Sequence, residues 1–353
     1  MKILIVTDAW TPQVNGVVTT LVELVRELQT QGHEVVVVHP GQFRTWSCPG
    51  LAGLALALWP GHRLGRMMDA AQADAIHIAT EGPLGWAARR WLSKRGLAFS
   101  SAIHTRFPEY VHTRWPWIPL RWGYAFLRAF HRPSQAVLVT TERMRDEFSS
   151  WGFKRLVLWC KGVDTRLFRP AKTLPSPAEP VFLYVGRIAP EKNIEAFLAL
   201  DLPGQKLVVG DGPQREALQA AYPQVNFLGY QHGQALAEAF QAASVLVFPS
   251  RTDTYGLVML EALACGTPVA AFPVAGPLDV LQAGVSGVMH EDLRAACLAA
   301  LSLDRGRCAE LAARQSWRAS ALEFLAQQPL LDGELCMPVV QDSHAAGHKQ
   351  ALT

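Results

Sequence analysis

Short runs of consecutive apolar residues recur along the chain, separated by stretches where apolar positions return every three or four residues. The unalternating runs predict strands at 2–7, 34–39, 75–79, 98–104, 136–140 and 156–159 in the first half. In the second half they predict strands at 180–185, 206–209, 225–228, 244–248 and 268–272. Between the first two strands, Leu21, Leu24, Val25 and Leu28 share one face of a helix predicted over 17–31, which Gly32 ends. Strands that are apolar throughout and alternate with helices belong in parallel sheets covered on both faces. The scheme occurs twice, and residues 170–178, with Pro170, Pro175 and Pro177, lie between the two occurrences as a linker. The expected architecture is α/β. It comprises a Rossmann-like domain at 1–170, a second at 171–330, a cleft between them, and a poorly ordered tail at 331–353.

The chain has 353 residues, half of them hydrophobic, enough for a core in each half. No apolar run approaches the roughly 20 residues needed to cross a bilayer. The N-terminus meets Asp8 too early for a secretory signal, so a cytoplasmic location is expected. The six cysteines show neither Cys-x-x-Cys pairs nor metal-ligand spacing with histidine, and free thiols are the ordinary reading. Charge is unevenly spread. Residues 1–170 carry 21 Lys+Arg against 12 Asp+Glu, and residues 171–353 carry 12 against 18, which suggests different partners for the two halves.

The densest chemistry lies in Ser250–Ala271, where a polar loop leads from a buried strand into a helix. Asp253 and Glu261 stand on either side of that junction with seven residues between them. A helix start offers free backbone N–H groups suited to phosphate. The flanking acids suit hydroxyl-rich groups on either side of it, as in a sugar nucleotide. Taken singly, Asp253 reads as a loop cap and Glu261 as a solvated helix residue. Arg187 and Lys192 leave the end of the strand at 180–185 after Gly186, a spacing that suits a diphosphate leaving group without a metal. Asn15-Gly16 follows the first strand directly before a helix, at the sheet edge where open α/β sheets bind ligands. Alone it reads as a turn, and the absence of Gly-x-Gly-x-x-Gly counts against a nicotinamide dinucleotide. His104 ends a strand, where a lone histidine is usually structural.

Together these motifs resemble the retaining glycosyltransferases of family 4, over roughly residues 1–325. The resemblance implies the GT-B fold, a nucleotide-sugar donor, no other cofactor, no metal and no covalent nucleophile. The Asp253–Glu261 pair resembles the family's Glu-seven-Glu signature with the first acid one methylene shorter. By that resemblance Asp253 holds the sugar hydroxyls and Glu261 the ribose, with the Tyr255-Gly256-Leu257-Val258 backbone along phosphate and sugar. Arg187 and Lys192 take the diphosphate, Gly16 closes over it, and His104 stands beside the transferred sugar. Phe227–Gln231 corresponds to the segment that meets the base, and Gly210–Pro213 to a turn. Lys161-Gly-Val-Asp164 resembles an Asn-Gly-Val-Asp element, with lysine where asparagine is common, and is expected to act as a hinge.

Arg106, Arg114, Arg121, Arg128 and Arg132 are interleaved with Phe107, Tyr110, Trp115, Trp117, Trp122, Tyr124, Phe126 and Phe130. This composition fits an interfacial segment on anionic lipid. It also fits single-stranded nucleic acid or a half-buried helix with snorkelling arginines. The membrane reading is taken, because family members often glycosylate lipids. The expected acceptor is then a lipid such as diacylglycerol or phosphatidylinositol, at the inner face of the membrane, with no nucleic-acid partner. A sugar-nucleotide epimerase, a transferase to a soluble or polysaccharide acceptor, and a non-catalytic nucleotide-sugar binder are the alternatives.

Overall fold

The structure is a computed structural model describing residues 1–13, 15–47, 55–115, 117–171, 179–253 and 255–331. Most of the expected linker and the tail fall outside these residues. Eight strands precede the linker: β1 (Lys2–Val6), β2 (Glu34–Val38), β3 (Thr45–Ser47), β4 (Ala55–Ala57), β5 (Ala75–Ile78), β6 (Ser100–Ala102), β7 (Ala136–Val139) and β8 (Leu156–Leu158). They alternate with α1 (Gly16–Thr30), α2 (Gly61–Ala71), α3 (Pro83–Arg95), α4 (Phe107–Arg114), α5 (Leu120–His131) and α6 (Glu142–Ser150). Six strands follow it: β9 (Val181–Val185), β10 (Gln205–Val209), β11 (Asn226–Gly229), β12 (Val245–Phe248), β13 (Val269–Ala271) and β14 (Gly287–Met289). Their helices are α7 (Glu195–Leu198), α8 (Arg215–Ala221), α9 (Gly233–Ala242), α10 (Leu257–Ala264), α11 (Ala275–Val280), α12 (Leu293–Ala300), α13 (Arg305–Ala313) and α14 (Trp317–Ala326).

Each half folds around one parallel sheet, with orders β2-β1-β5-β6-β7-β8 and β11-β10-β9-β12-β13-β14. The apolar runs form these strands because both faces are covered: Ile3 and Ile5 pack with α1, while Leu4 and Val6 pack with α2 and α3 residues. In each sheet the strand order reverses once, between β1 and β5 and between β9 and β12. A ligand crevice opens at such a reversal, outside the carboxyl ends of the strands. The loops leaving β1, β5, β9 and β12 therefore meet there, and three of them carry motifs singled out in the sequence.

The expectation that 171–330 forms one unit is corrected at its end. After α13 the chain crosses back, and Ala321, Phe324 and Leu325 of α14 pack among Ile3, Ile5, Leu21, Leu24 and Leu28 of the first domain. The indole N–H of buried Trp159 donates to Ser320 O and Oγ at 3.1 and 3.0 Å, and Ser100 Oγ donates to Gln328 Oε1 at 2.6 Å. The β3–β4 hairpin and β14 were not predicted; Thr45-Trp-Ser47 is mostly polar, and Ala55-Leu-Ala57 and Gly287-Val-Met289 carry only one or two large apolar residues each.

Candidate active site

The strand reversal in the second sheet brings two sequence motifs into one site. Beyond β9, a 3₁₀ turn over Pro190–Lys192 carries Lys192 toward the loop beyond β12. Asn193, in the left-handed region at φ 52°, fastens that turn by donating from Nδ2 to Pro249 O at 3.1 Å. Thr252 Oγ1 donates to Glu191 O at 3.1 Å. The two loops are thus cross-linked before any ligand arrives. Across them Lys192 Nζ lies 2.5 Å from Asp253 Oδ1, both side chains partly buried. Sequence reasoning gave these residues separate partners; the fold pairs them. Arg187 stays more open, its Nη1 3.9 Å from Glu191 Oε1.

Gly256 begins α10 at φ 78°, a backbone that side chains rarely adopt, and a β-carbon there would come within 2.8 Å of Phe248 Cζ. The helix has no side-chain cap among the described residues, which leaves the amides of its first turn, at Leu257 and Val258, without a side-chain acceptor there. Glu261 stands one turn further along α10. Burial pushes its carboxyl up to about 7, and the charge of Glu23 on α1 adds to that shift.

The first domain faces this site through α1. A β-carbon on Gly16 would stand 4.0 Å from Leu257 Cδ1, which sets the start of α1 against the start of α10 across the cleft. Asn15 Oδ1 accepts from Val17 N and Val18 N at 3.0 Å each, so α1, unlike α10, is already capped. Below α1, Asp8 accepts from Leu84 N, Gly85 N and Thr80 Oγ1 at 2.9, 3.3 and 3.0 Å, capping α3 at the first sheet's reversal. Burial nevertheless raises its carboxyl to about 6. In the sequence Asp8 stood out only as a charge too early for a secretory signal; its further signal was an acid at a strand end followed by a turn.

His104 lies beyond β6, its ring at 5.7 Å and near-perpendicular to Trp159, its Nδ1 3.4 Å from Lys161 Nζ. Burial holds its basicity well below the usual histidine range, with the Lys161 charge adding. Tyr255 turns from the loop before α10 toward the domain joint: its side chain is buried and its hydroxyl donates to Gln315 Oε1 at 3.0 Å. Gln315 O in turn accepts from Val163 N at 2.8 Å. Two ion pairs also cross between elements near the joint, Arg143–Asp279 and Arg26–Asp164, each at 2.9 Å. Tyr230, in the expected base segment, is half exposed and stacks near His232.

A sequence profile of Glycosyltransferase Family 4 matches residues 14–167, and one of Glycosyl transferases group 1 matches 179–303, so that the two account for both halves. The chain belongs to glycosyltransferase family 4. It is 28% identical over 316 residues to a GDP-mannose-dependent alpha-mannosyltransferase of Mycobacterium tuberculosis, covering 82% of this chain and 83% of that one. It is 26% identical over 317 residues to the alpha-monoglucosyldiacylglycerol synthase of Acholeplasma laidlawii, covering 76% and 79%. In fold it is similar to sucrose-phosphate synthase from Thermosynechococcus elongatus, with TM-score 0.74, 22% identity and coverage of 92% and 97%. It is likewise similar to Anabaena HepE in complex with UDP-glucose, with TM-score 0.68, 16% identity and coverage of 92% and 99%. The fold is GT-B, and the enzyme is a glycosyltransferase that uses a nucleotide sugar.

The basic aromatic segment divides on folding. Tyr124, Leu127 and Phe130 are buried, Arg128 Nη1 donates to Trp151 O at 2.7 Å, and Arg106 pairs with Glu147 at 2.5 Å. Trp117, Trp122, Phe126 and Arg121 remain exposed, Trp117 by 77% and Trp122 by 62%. Arg128 is exposed as well, with one arm of its guanidinium held by the Trp151 carbonyl. Among the described residues no helix is long and apolar enough to cross a membrane.

Proposed function

We propose that this protein transfers a hexose from a nucleoside diphosphate sugar to a lipid acceptor at an anionic membrane surface, with retention of the anomeric configuration and without a metal. The observation that carries the reading is the Lys192–Asp253 pair across the loops beyond β9 and β12, with Arg187 on the first loop and the second leading into the start of α10, which faces Gly16. Arg187 and Lys192 neutralise the charge that grows on the departing diphosphate, the role a metal ion has in other sites. Asp253, held by Lys192, accepts from the sugar hydroxyls, and Glu261 accepts from the ribose. The Tyr255–Val258 backbone follows the phosphate and sugar, and His104 closes the acceptor side. The acceptor hydroxyl attacks from the face the diphosphate leaves, and the leaving phosphate oxygen takes its proton.

A lipid acceptor is supported by the exposed Trp117, Trp122, Phe126 and Arg121 on the first domain. It is supported too by the relative named for diacylglycerol glycosylation. The test is incubation with UDP- and GDP-hexoses and vesicles of phosphatidylglycerol with diacylglycerol or phosphatidylinositol, in excess EDTA. The expected product is an α-linked glycolipid. A β-linked product, a requirement for added Mg²⁺ or Mn²⁺, or transfer to soluble acceptors alone would overturn the corresponding part of the reading.

A further inference from the structure

The joint between the domains contains a charge that the donor site does not use. Lys161 follows β8, yet only 4% of it is exposed. Its Nζ lies 3.6 Å from the centroid of the Trp159 ring and 3.4 Å from His104 Nδ1, and among the described residues no carboxylate pairs with it. Removing an amine from water without a counter-charge is costly. The surroundings are nevertheless rigid. Trp159 is fixed through its indole N–H to Ser320 of α14, and the Tyr255 hydroxyl meets the Lys161 backbone. Lys161 thus touches the hinge, the donor loop and the acceptor-side histidine at once.

We propose that Lys161 is a positioning residue for His104: its Nζ–H donates to His104 Nδ1, which leaves the ring proton on Nε2. The role assigned to that ring rests on the reading of His104 as a neighbour of the transferred sugar. A neutral imidazole has one donor and one acceptor nitrogen, and a primary amine has hydrogens in either charge state. The Trp159 face below Nζ attracts N–H hydrogens and repels a lone pair, which orients the amine as a donor. Several groups face this pair. His77 comes from β5 with its basicity pushed down to about 3 by burial, and His131 comes from α5. Cys160 and Tyr255 come from the joint, and Glu323 of α14 accepts from Cys160 N at 2.9 Å. Burial lowers the basicity of both His104 and Lys161, so the imidazole holds a single proton. Fixed on Nε2, that proton makes His104 a standing donor to a sugar or leaving-group oxygen. Asparagine at this position, common in the family, ends two bonds earlier and does not span the gap on the same backbone.

The test is long-range ¹H–¹⁵N NMR of histidine-labelled protein without substrate, with the His104 signals assigned by their loss in His104→Gln. Wild type should hold His104 in the Nε2–H tautomer between about pH 6 and 8, the range where an ordinary histidine changes charge. Lys161→Met, folded by its unfolding temperature, should release the ring to a tautomer mixture. It should also lower kcat roughly 10- to 100-fold, as loss of one positioned donor does, with donor KM nearly unchanged. An Nδ1–H or doubly protonated His104 in wild type overturns the proposal, and so does an unaltered His104 spectrum in Lys161→Met even if kcat falls. If Lys161→Met does not fold, the wild-type spectrum decides alone. The spectrum needs no glycosyl transfer, so failure of the transferase reading is distinguishable from failure of this one.

Discussion

At the scale of single residues, the site is governed by where charge is desolvated and what it meets there. Glu261 has its carboxyl raised to about 7 by burial, so near neutrality it is partly protonated in the empty protein. In the proposed site the ribose hydroxyls donate hydrogen bonds to Glu261 and favour its carboxylate, so binding below pH 7 should expel a proton. Affinity for an intact nucleotide sugar, whose phosphates do not titrate in this range, should rise as pH increases from 6 to 8. Calorimetry in buffers of different ionisation enthalpy should detect the released proton, and in Glu261→Gln both effects should vanish. The stability linkage has the opposite sense. A carboxyl whose folded-state pKa is raised contributes stability that is present below its unfolded value and lost as pH rises through about 7. Unliganded Glu261→Gln should thus unfold at a higher temperature than wild type at pH 8 while binding nucleotide more weakly. A lower unfolding temperature would mean that Glu261 is stabilised in place by contacts other than a donor.

At the scale of elements, α14 and α5 turn their apolar residues in different directions. Phe324 on α14 is fully buried in the first domain although it lies beyond the second in sequence. Phe324→Ala should cost about 3–5 kcal/mol of stability, measured by denaturant unfolding of the first domain, as cavity-forming Phe→Ala changes do. A cost near zero would mean α14 is only loosely docked. On α5 the pattern reverses, with Trp122 and Phe126 outward. Replacing Trp117, Trp122 and Phe126 together with serine should release the protein from phosphatidylglycerol vesicles and lower activity on a lipid acceptor, with donor affinity unchanged. Unaltered co-sedimentation of the folded variant would remove the case for a lipid surface. The sequence made these strands legible because burial on both faces leaves unbroken apolar runs, while the roles of Arg187, Lys192, Asp253 and Glu261 came from the resemblance their motifs carry. The Lys192–Asp253 pairing was not legible, since it arises from two loops 61 residues apart meeting at a strand reversal. Nor was the return of α14, whose apolar positions show a buried face without showing which sheet covers it.

At the scale of the whole molecule, an ion pair near the joint ties the two halves together among the described residues. Arg143 of α6 meets Asp279 of α11 at 2.9 Å, with Asp279 largely buried and Arg143 exposed. Charge reversal by Arg143→Glu should open the cleft, raising the radius of gyration in small-angle scattering and weakening donor binding. Adding Asp279→Arg should restore both, and a reversal without effect would place domain closure elsewhere. In the proposed donor site Arg187 and Lys192 hold the diphosphate of a nucleotide sugar against the start of α10. The most direct measurement is calorimetric titration of UDP-glucose and GDP-mannose, in EDTA, into wild type and into Arg187→Ala/Lys192→Ala. Loss of two charge-assisted contacts to a phosphate should weaken binding of the preferred donor by about 100-fold or more. Equal affinity in the folded double variant would contradict the assignment of the donor site.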